Sequence, residues 1–297
     1  MLERSHRGGS QVCRRLGQLI RRGRLANDSR HIRLEPQKDR ESKDSAVIEQ
    51  SFEIGSDATL DIRIATGKVE IRRGKDGLAV VRARGDTDNL TVEQRGSTIW
   101  ISAERRSNWV ARSIYVTIEV PDGLDVDAGV ASADFECEPV VRRLGVNSAS
   151  GDIRLTDCAD LSVKTASGDV HGNDAAGRLD FVSASGDLHM GGIGGRADIS
   201  TASGDVRILK ASGPVNVSTM SGDVRIEQFE GDDLRAKAMS GNVDVGIPAG
   251  TTVDLKATTL SGDIRLPEPA ASDPSSNGLT VSVSARLVSG DLRIRRV

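Results

Sequence analysis

The sequence predicts an all-β fold: a parallel, two-sheet β-solenoid of about 18-residue rungs. Three observations predict it. A Ser-Gly-Asp tripeptide recurs at near-constant spacing through the second half of the chain. The residues on both sides of each copy alternate apolar and polar with period two, the mark of a half-buried strand. Finally, only 4 Phe, 2 Trp and 1 Tyr occur in 297 residues, against 32 Gly, so the core must be built from Val, Ile, Leu and Ala. The same scarcity argues against surfaces that stack sugars or single-stranded nucleic acid on aromatic rings, and no nucleic-acid partner is expected.

In chain order, the first segment is a basic leader, residues 1–45. Residues 1–34 carry nine Arg against Glu3 and Asp28, a net of +7, which leaves the rest of the chain at −10. A basic head on an acidic body marks a compositional boundary. Val12, Leu16, Leu19, Ile20 and Leu25 fall roughly at helical spacing among the arginines, so the leader reads as disordered or as a short amphipathic helix. Residues 35–45 (EPQKDRESKDS) have the composition of disorder. Arg14, Arg15, Arg21, Arg22 and Arg24 are its candidate contacts to an anionic membrane surface. Arg21, Arg22 and Arg24 interrupt the one apolar region and no small-residue cleavage site follows, which is not the pattern of a signal peptide. No apolar run reaches the length of a membrane span. The expectation is a cytoplasmic protein, or one lying peripherally at the inner face of the membrane.

The second segment, residues 46–125, reads as an antiparallel β module that caps the solenoid. Strand patterns run over 78–84, 90–94, 98–103 and 114–120, with Gln94-Arg95-Gly96-Ser97 as a hairpin turn and Pro121-Asp122-Gly123 as a stop. The repeat template already appears here once: around Thr66, the residues Leu60, Ile62, Ile64, Val69 and Ile71 are all apolar.

The third segment, residues 126–297, is the repeat. Ser-Gly-Asp starts at Ser150, Ser167, Ser185, Ser203, Ser221, Ser261 and Ser289, with Ser-Gly-Asn at Ser240 and a degenerate copy at Ser132. Successive steps are 18, 17, 18, 18, 18, 19, 21 and 28 residues. Counting from the Ser, offsets −6, −4, +3 and +5 are mostly apolar, so each rung is strand, corner, strand and second turn. Gly151, Gly168, Gly186, Gly204, Gly222, Gly241, Gly262 and Gly290 occupy the corners, where a sharp bend suits a glycine at φ > 0. Nine rungs at ~4.8 Å each give a body about 43 Å long. The last step contains Pro267 to Gly278, a surface loop, and Arg295-Arg296-Val297 are expected to blunt the final sheet edge.

These residues resemble the bacterial putative-adhesin family, a β-strand-repeat domain of unknown function. The resemblance rests on the SASGDV and TASGDV rungs, on LDIRIATGKVEIRRG and on SIYVTIEVPDGLDVDAG before the first rung, and spans roughly residues 50–297. It implies a β-solenoid-like fold with no assigned catalytic residues, and a link to bacterial envelopes or stress responses.

Candidate chemistry is confined to the columns. Asp152, Asp169, Asp187, Asp205 and Asp223 stack at offset +2 and are candidate Ca²⁺ ligands. The structural reading of the same column is a charge lattice with Arg and His at offset +4, and hydrogen bonds from carboxylates to turn amides. His171 and His189 lie one rung apart without a third metal ligand, and Cys13, Cys137 and Cys158 lack metal-ligand spacing. Hydroxyls at offset −2 (Ser148, Thr165, Ser183, Thr201, Thr219, Thr259) are expected to bond one another across stacked rungs. No Ser-His-Asp set, phosphate loop or HExxH motif is present, and no cofactor or catalytic residue is assigned. The reading is a non-catalytic β-repeat scaffold or adhesin-like binding protein that engages a protein partner or a second copy of itself. The alternatives are a polysaccharide-active β-helical enzyme and an envelope-stress regulatory protein.

Overall fold

A computed structural model describes residues 47–103, 113–267 and 280–297. The leader arginines, Cys13 and most of the loop after Pro267 therefore lie outside the described residues. Five strands precede the coil's long run: β1 (Ile48–Glu53), β2 (Thr59–Arg73), β3 (Leu78–Gly85), β4 (Leu90–Arg95) and β5 (Thr98–Ala103). β6 (Ile114–Val120), β7 (Asp125–Cys137), β8 (Val141–Ser148) and β9 (Ile153–Thr165) carry the chain into regular rungs. Those rungs pair arms β10 (Val170–Ala175) with β11 (Leu179–Ser183), β12 (Leu188–Ile193) with β13 (Ala197–Thr201), and β14 (Val206–Ala211) with β15 (Val215–Ser221) along the chain. The coil ends with β16 (Val224–Phe229), β17 (Asp233–Ser240), β18 (Val243–Ile247), β19 (Thr252–Ser261), β20 (Ile264–Arg265), β21 (Thr280–Ser289) and β22 (Leu292–Arg296).

The arms before the corners stack in parallel as one face, with like residues in register: Leu161 on Leu179 on Ala197 on Val215 on Leu234. The arms after the corners form the second face, where Ile153, Val170, Leu188, Val206, Val224 and Val243 stack in the same way. All of these side chains are buried between the two faces. β2 belongs to this stack. Its first half pairs in parallel with β5 and β7, and its second half with β6 and β7, placing Thr66 beside Ser132. Antiparallel strands then close the first end: β4 on β5, β3 on β6 and β1 on β3.

Three features depart from the reading of the sequence. One is the second bend of each rung. A turn follows the second arm in most rungs, as expected, but it is anchored by an inward column at Cys158, Ala175, Ile193, Ala211 and Phe229, all buried, which the alternation does not reveal. Two consecutive outward residues precede each of them, as in the β14 pattern of VRILKA; β10, β12, β14 and β16 end on this inward residue, and only β9 runs on past it at Cys158.

The corner glycines are the next departure. Only Gly241, Gly262 and Gly290 of the eight have left-handed φ, at 146°, 139° and 143°. At the other five, the close approach of neighbouring rungs demands glycine. A Cβ on Gly186 would sit 2.1 Å from the carbonyl oxygen of Gly168, and one on Gly204 2.1 Å from that of Gly186.

The last departure is rung order at the far end. β17 pairs with β21, and β21 pairs with β19. Likewise β22 lies between β18 and β20. The final rung of the sequence is thus inserted beneath the one before it, but β20 covers only Leu292 and Arg293 of β22, so among the described residues Arg295 and Arg296 stay at the outer edge of that face, where Arg296 donates to Pro248 O and Thr251 O. The reason is length and burial. Pro267 stops the chain soon after the two-residue β20, whereas β22 pairs with all five residues of β18. β21 also brings Val281, Val283, Ala285 and Leu287 to full burial. The 28-residue step supplies the chain needed to double back.

Candidate functional site

The corner columns are built from backbone upward. At Ser150, Ser167, Ser185 and Ser203 the incoming strand ends two residues before the serine. There the hydroxyl at offset −2 accepts the corner glycine N–H: Gly151 to Ser148 at 3.0 Å, Gly168 to Thr165 at 3.0 Å, Gly186 to Ser183 at 2.7 Å and Gly204 to Thr201 at 3.0 Å. These hydroxyls cap their own corner and do not form the rung-to-rung ladder expected of them. Where the same offset is apolar the strand carries further: it runs straight through the corner at Ile64 and Val130, and at Ala238 and Leu287 it extends to the serine before breaking at the glycine. Thr219 and Thr259 sit on strands, β15 and β19, that likewise extend to the corner serine; the buried hydroxyl of Thr219 has no hydrogen-bond partner, and that of Thr259 donates to Gly290 O.

The Asp column forms a continuous ladder of another kind. Asp152 N–H donates to Asp134 Oδ1, Asp169 to Asp152, Asp187 to Asp169, Asp205 to Asp187 and Asp223 to Asp205, at 2.8–3.3 Å. The ladder continues through Asn242, whose Oδ1 receives Asp291 N–H, and ends with Asp263 N–H on Asp291 Oδ1. Each rung's carboxylate thereby satisfies the turn amide of its neighbour, and the outward rung order at the far end is repeated in this column. Among the described residues, no cluster of three or more His, Cys, Asp or Glu side chains is placed to hold a metal ion.

The Arg and His column at offset +4 is paired only in places. Arg154 reaches Asp152 at 3.5 Å and Arg265 reaches Asp263 at 3.2 Å, but Arg225 turns to Glu227. His171 and His189 stack face to face, centroids 4.9 Å apart and planes 5° from parallel. With Arg154, Arg207, Met190 and Leu209 they line an open groove of 440 Å³. Cys137 and Cys158 are buried, and burial pushes both thiols up to about 12, so neither is a nucleophile at neutral pH.

At the far end of the coil the exposed strand is β19, which the order of the sequence does not predict. Among the described residues nothing pairs with the outer edge of β19, ten residues long. Its inward side chains Val253, Leu255 and Ala257 are only half-buried, and Leu260 (84% exposed), Ile264 and Leu266 are open to solvent beside it. Which backbone groups are free follows from the ladder. Ser282 N–H donates to Asp232 O, so even-numbered residues of β21 bond β17 and odd-numbered ones bond β19. In a parallel pair, their acceptors and donors on β19 are the residues between register partners, namely Asp254, Lys256 and Thr258. The N–H and C=O of Val253, Leu255 and Ala257 point away from the sheet. The opposite end differs: its outermost strands β1 and β4 are six residues each and carry Glu49, Glu53, Glu93 and Arg95, the charge and brevity that blunt an edge. The signal available in sequence was the pairing of Pro267 with the 28-residue step, which together leave a short rung outermost.

The family described as Toastrack DUF4097 matches residues 58–295. No curated protein matches. Among solved structures, a putative adhesin from Bacteroides fragilis is 15% identical, with 84% of this chain and 98% of that one covered and a TM-score of 0.39. A putative adhesin from Parabacteroides merdae is 10% identical, covering 83% and 96%, with a TM-score of 0.44. A putative lipid binding protein from Parabacteroides distasonis is 16% identical, covering 86% and 98%, with a TM-score of 0.42.

Proposed function

The chain belongs to the Toastrack DUF4097 family, and from that premise we propose that it is a non-catalytic, adhesin-like scaffold whose open end binds protein by strand addition. The observation that carries this reading is the free edge of β19. An unpaired row of N–H and C=O groups over half-buried apolar side chains is a template for another strand, and main-chain hydrogen bonds supply its affinity. The carboxylate column supports the non-catalytic part: its Oδ1 atoms are taken up by the amides of the next rung and form a regular architecture, where polysaccharide cleavage needs two carboxyl groups facing one bond.

The test uses Ala257→Pro. The Ala257 N–H points away from β21, so proline there spares the internal ladder while removing a donor from the open edge. Cross-linked partners, a second copy included, are expected on the wild-type chain and lost from the variant. A set of bound proteins unchanged by the substitution would overturn the reading.

A further inference from the structure

We propose that the occupant of the β19 edge is the β19 edge of a second copy, joined antiparallel about a two-fold axis at Leu255, so that two solenoids meet end to end as a closed dimer. The proposal rests on the strand-addition reading above and names its partner.

The register follows from three requirements. Residues opposite one another in an antiparallel pair must both offer outward backbone groups or both not, so odd residues face odd and even face even. The inward side must continue the core, which keeps Val253, Leu255 and Ala257 facing their counterparts. The outward side must not oppose like charges. β19 carries one acid and one base on that side, Asp254 and Lys256, and neither has an ion-pair partner among the described residues. An axis at Asp254 sets two carboxylates face to face, and an axis at Lys256 sets two ammonium groups face to face. An axis at Val253 or Ala257 leaves both charges opposite neutral residues. Only the axis at Leu255 places Asp254 opposite Lys256 of the second copy, twice, in the close non-hydrogen-bonded pairs. It also sets Val253 opposite Ala257 and Thr252 opposite Thr258.

The symmetry closes the assembly. An isologous contact uses the same patch on both copies, and the other end of each coil presents the short charged strands β1 and β4. A dimer is the end point, and no filament follows from it.

Charge reversal tests the pairing by sedimentation equilibrium. Asp254→Lys or Lys256→Asp alone opposes like charges twice and is expected to weaken the dimer roughly tenfold or more. The double reversal D254K/K256D restores opposite charges in this register and is expected to recover wild-type association. Disulfide trapping in a Cys13→Ser background tests the register directly, since the two remaining cysteines are buried. A mixture of Thr252→Cys and Thr258→Cys chains should cross-link on oxidation, because non-hydrogen-bonded partners lie ~4.5 Å apart at Cα. Either variant alone should not.

A wild-type chain that stays monomeric at high concentration, a double reversal without recovery, or cross-linking of either single variant alone would overturn the proposal. So would a dimer that forms only after residues 1–46 are removed, which would assign the edge to the chain's own leader. Edge-dependent capture of a different protein, lost in Ala257→Pro, by a chain that does not dimerise would overturn the dimer while leaving the scaffold reading intact.

Discussion

At four corners a single hydroxyl ends the incoming strand. Thr201 Oγ1 takes the Gly204 N–H at 3.0 Å in a site only 4% exposed, so the strand breaks and the corner closes tightly. Thr219 stands at the same offset one rung on, yet its strand continues to Ser221 and the Gly222 N–H goes to Ser240 O instead. Its hydroxyl is buried and unpaired. Valine is close to threonine in shape, so the two positions separate the hydrogen bond from the packing. Thr201→Val strands a buried donor and is expected to cost about 1–3 kcal/mol, whereas Thr219→Val removes an unsatisfied group and is expected to be neutral or stabilising. Urea denaturation of the two variants checks the contrast, and equal losses would refute it. The hydroxyl column is visible in the sequence, but its partner is not. Period two puts Thr201 near the corner, while the choice between a neighbouring hydroxyl and its own glycine amide depends on the path of the bend.

At the scale of strands, the sequence shows what each rung is but not where it stacks. β19 and β21 both satisfy the repeat template, with Leu255 and Val283 at the same offset, and period alone cannot rank them. Their order is settled by how well the second arm covers β18, which β22 does and β20 does not. The missed inward column at Ala211 and Phe229 has a similar cause: two outward residues in a row break the alternation by which a buried strand is recognised. Insertion of β22 brings Arg295 between two acids of the preceding rungs. It bonds Asp244 at 2.9 Å and also Glu227, tying β22 to both β18 and β16. The Arg225 hydrogen bond, then that of Arg295, hold the Glu227 carboxyl below its ordinary value of 4.5. A folded-state pKa below the unfolded one stabilises the fold above the unfolded value, and that contribution disappears as pH falls toward the folded one. Arg295→Ala is therefore expected to cost about 1 kcal/mol at neutral pH, given its partial exposure. Its deficit should shrink as pH falls below 4.5. Thermal melts of both proteins across that range measure it, and a deficit independent of pH would assign the effect of Arg295 to packing alone.

For the whole molecule, the two ends of the coil set what it can join. A parallel stack necessarily ends in a strand with one unpaired side, and closure must come from another element. At the first end, β1, β3 and β4 provide it by turning antiparallel. At the far end, among the described residues, nothing does, and a second copy completes the ladder. Amide exchange reads this residue by residue. In dilute solution the amides of Asp254, Lys256 and Thr258, bonded to β21, should exchange slowly, and those of Val253, Leu255 and Ala257 should exchange fast. Raising the protein concentration should slow the second group and leave the first unchanged, because the dimer bonds only the outward-facing amides. Slowing of all six together would mean that the end rung folds on association and is not preformed. A second group that exchanges fast at every concentration would leave this edge without a partner strand and the two-fold axis at Leu255 without support.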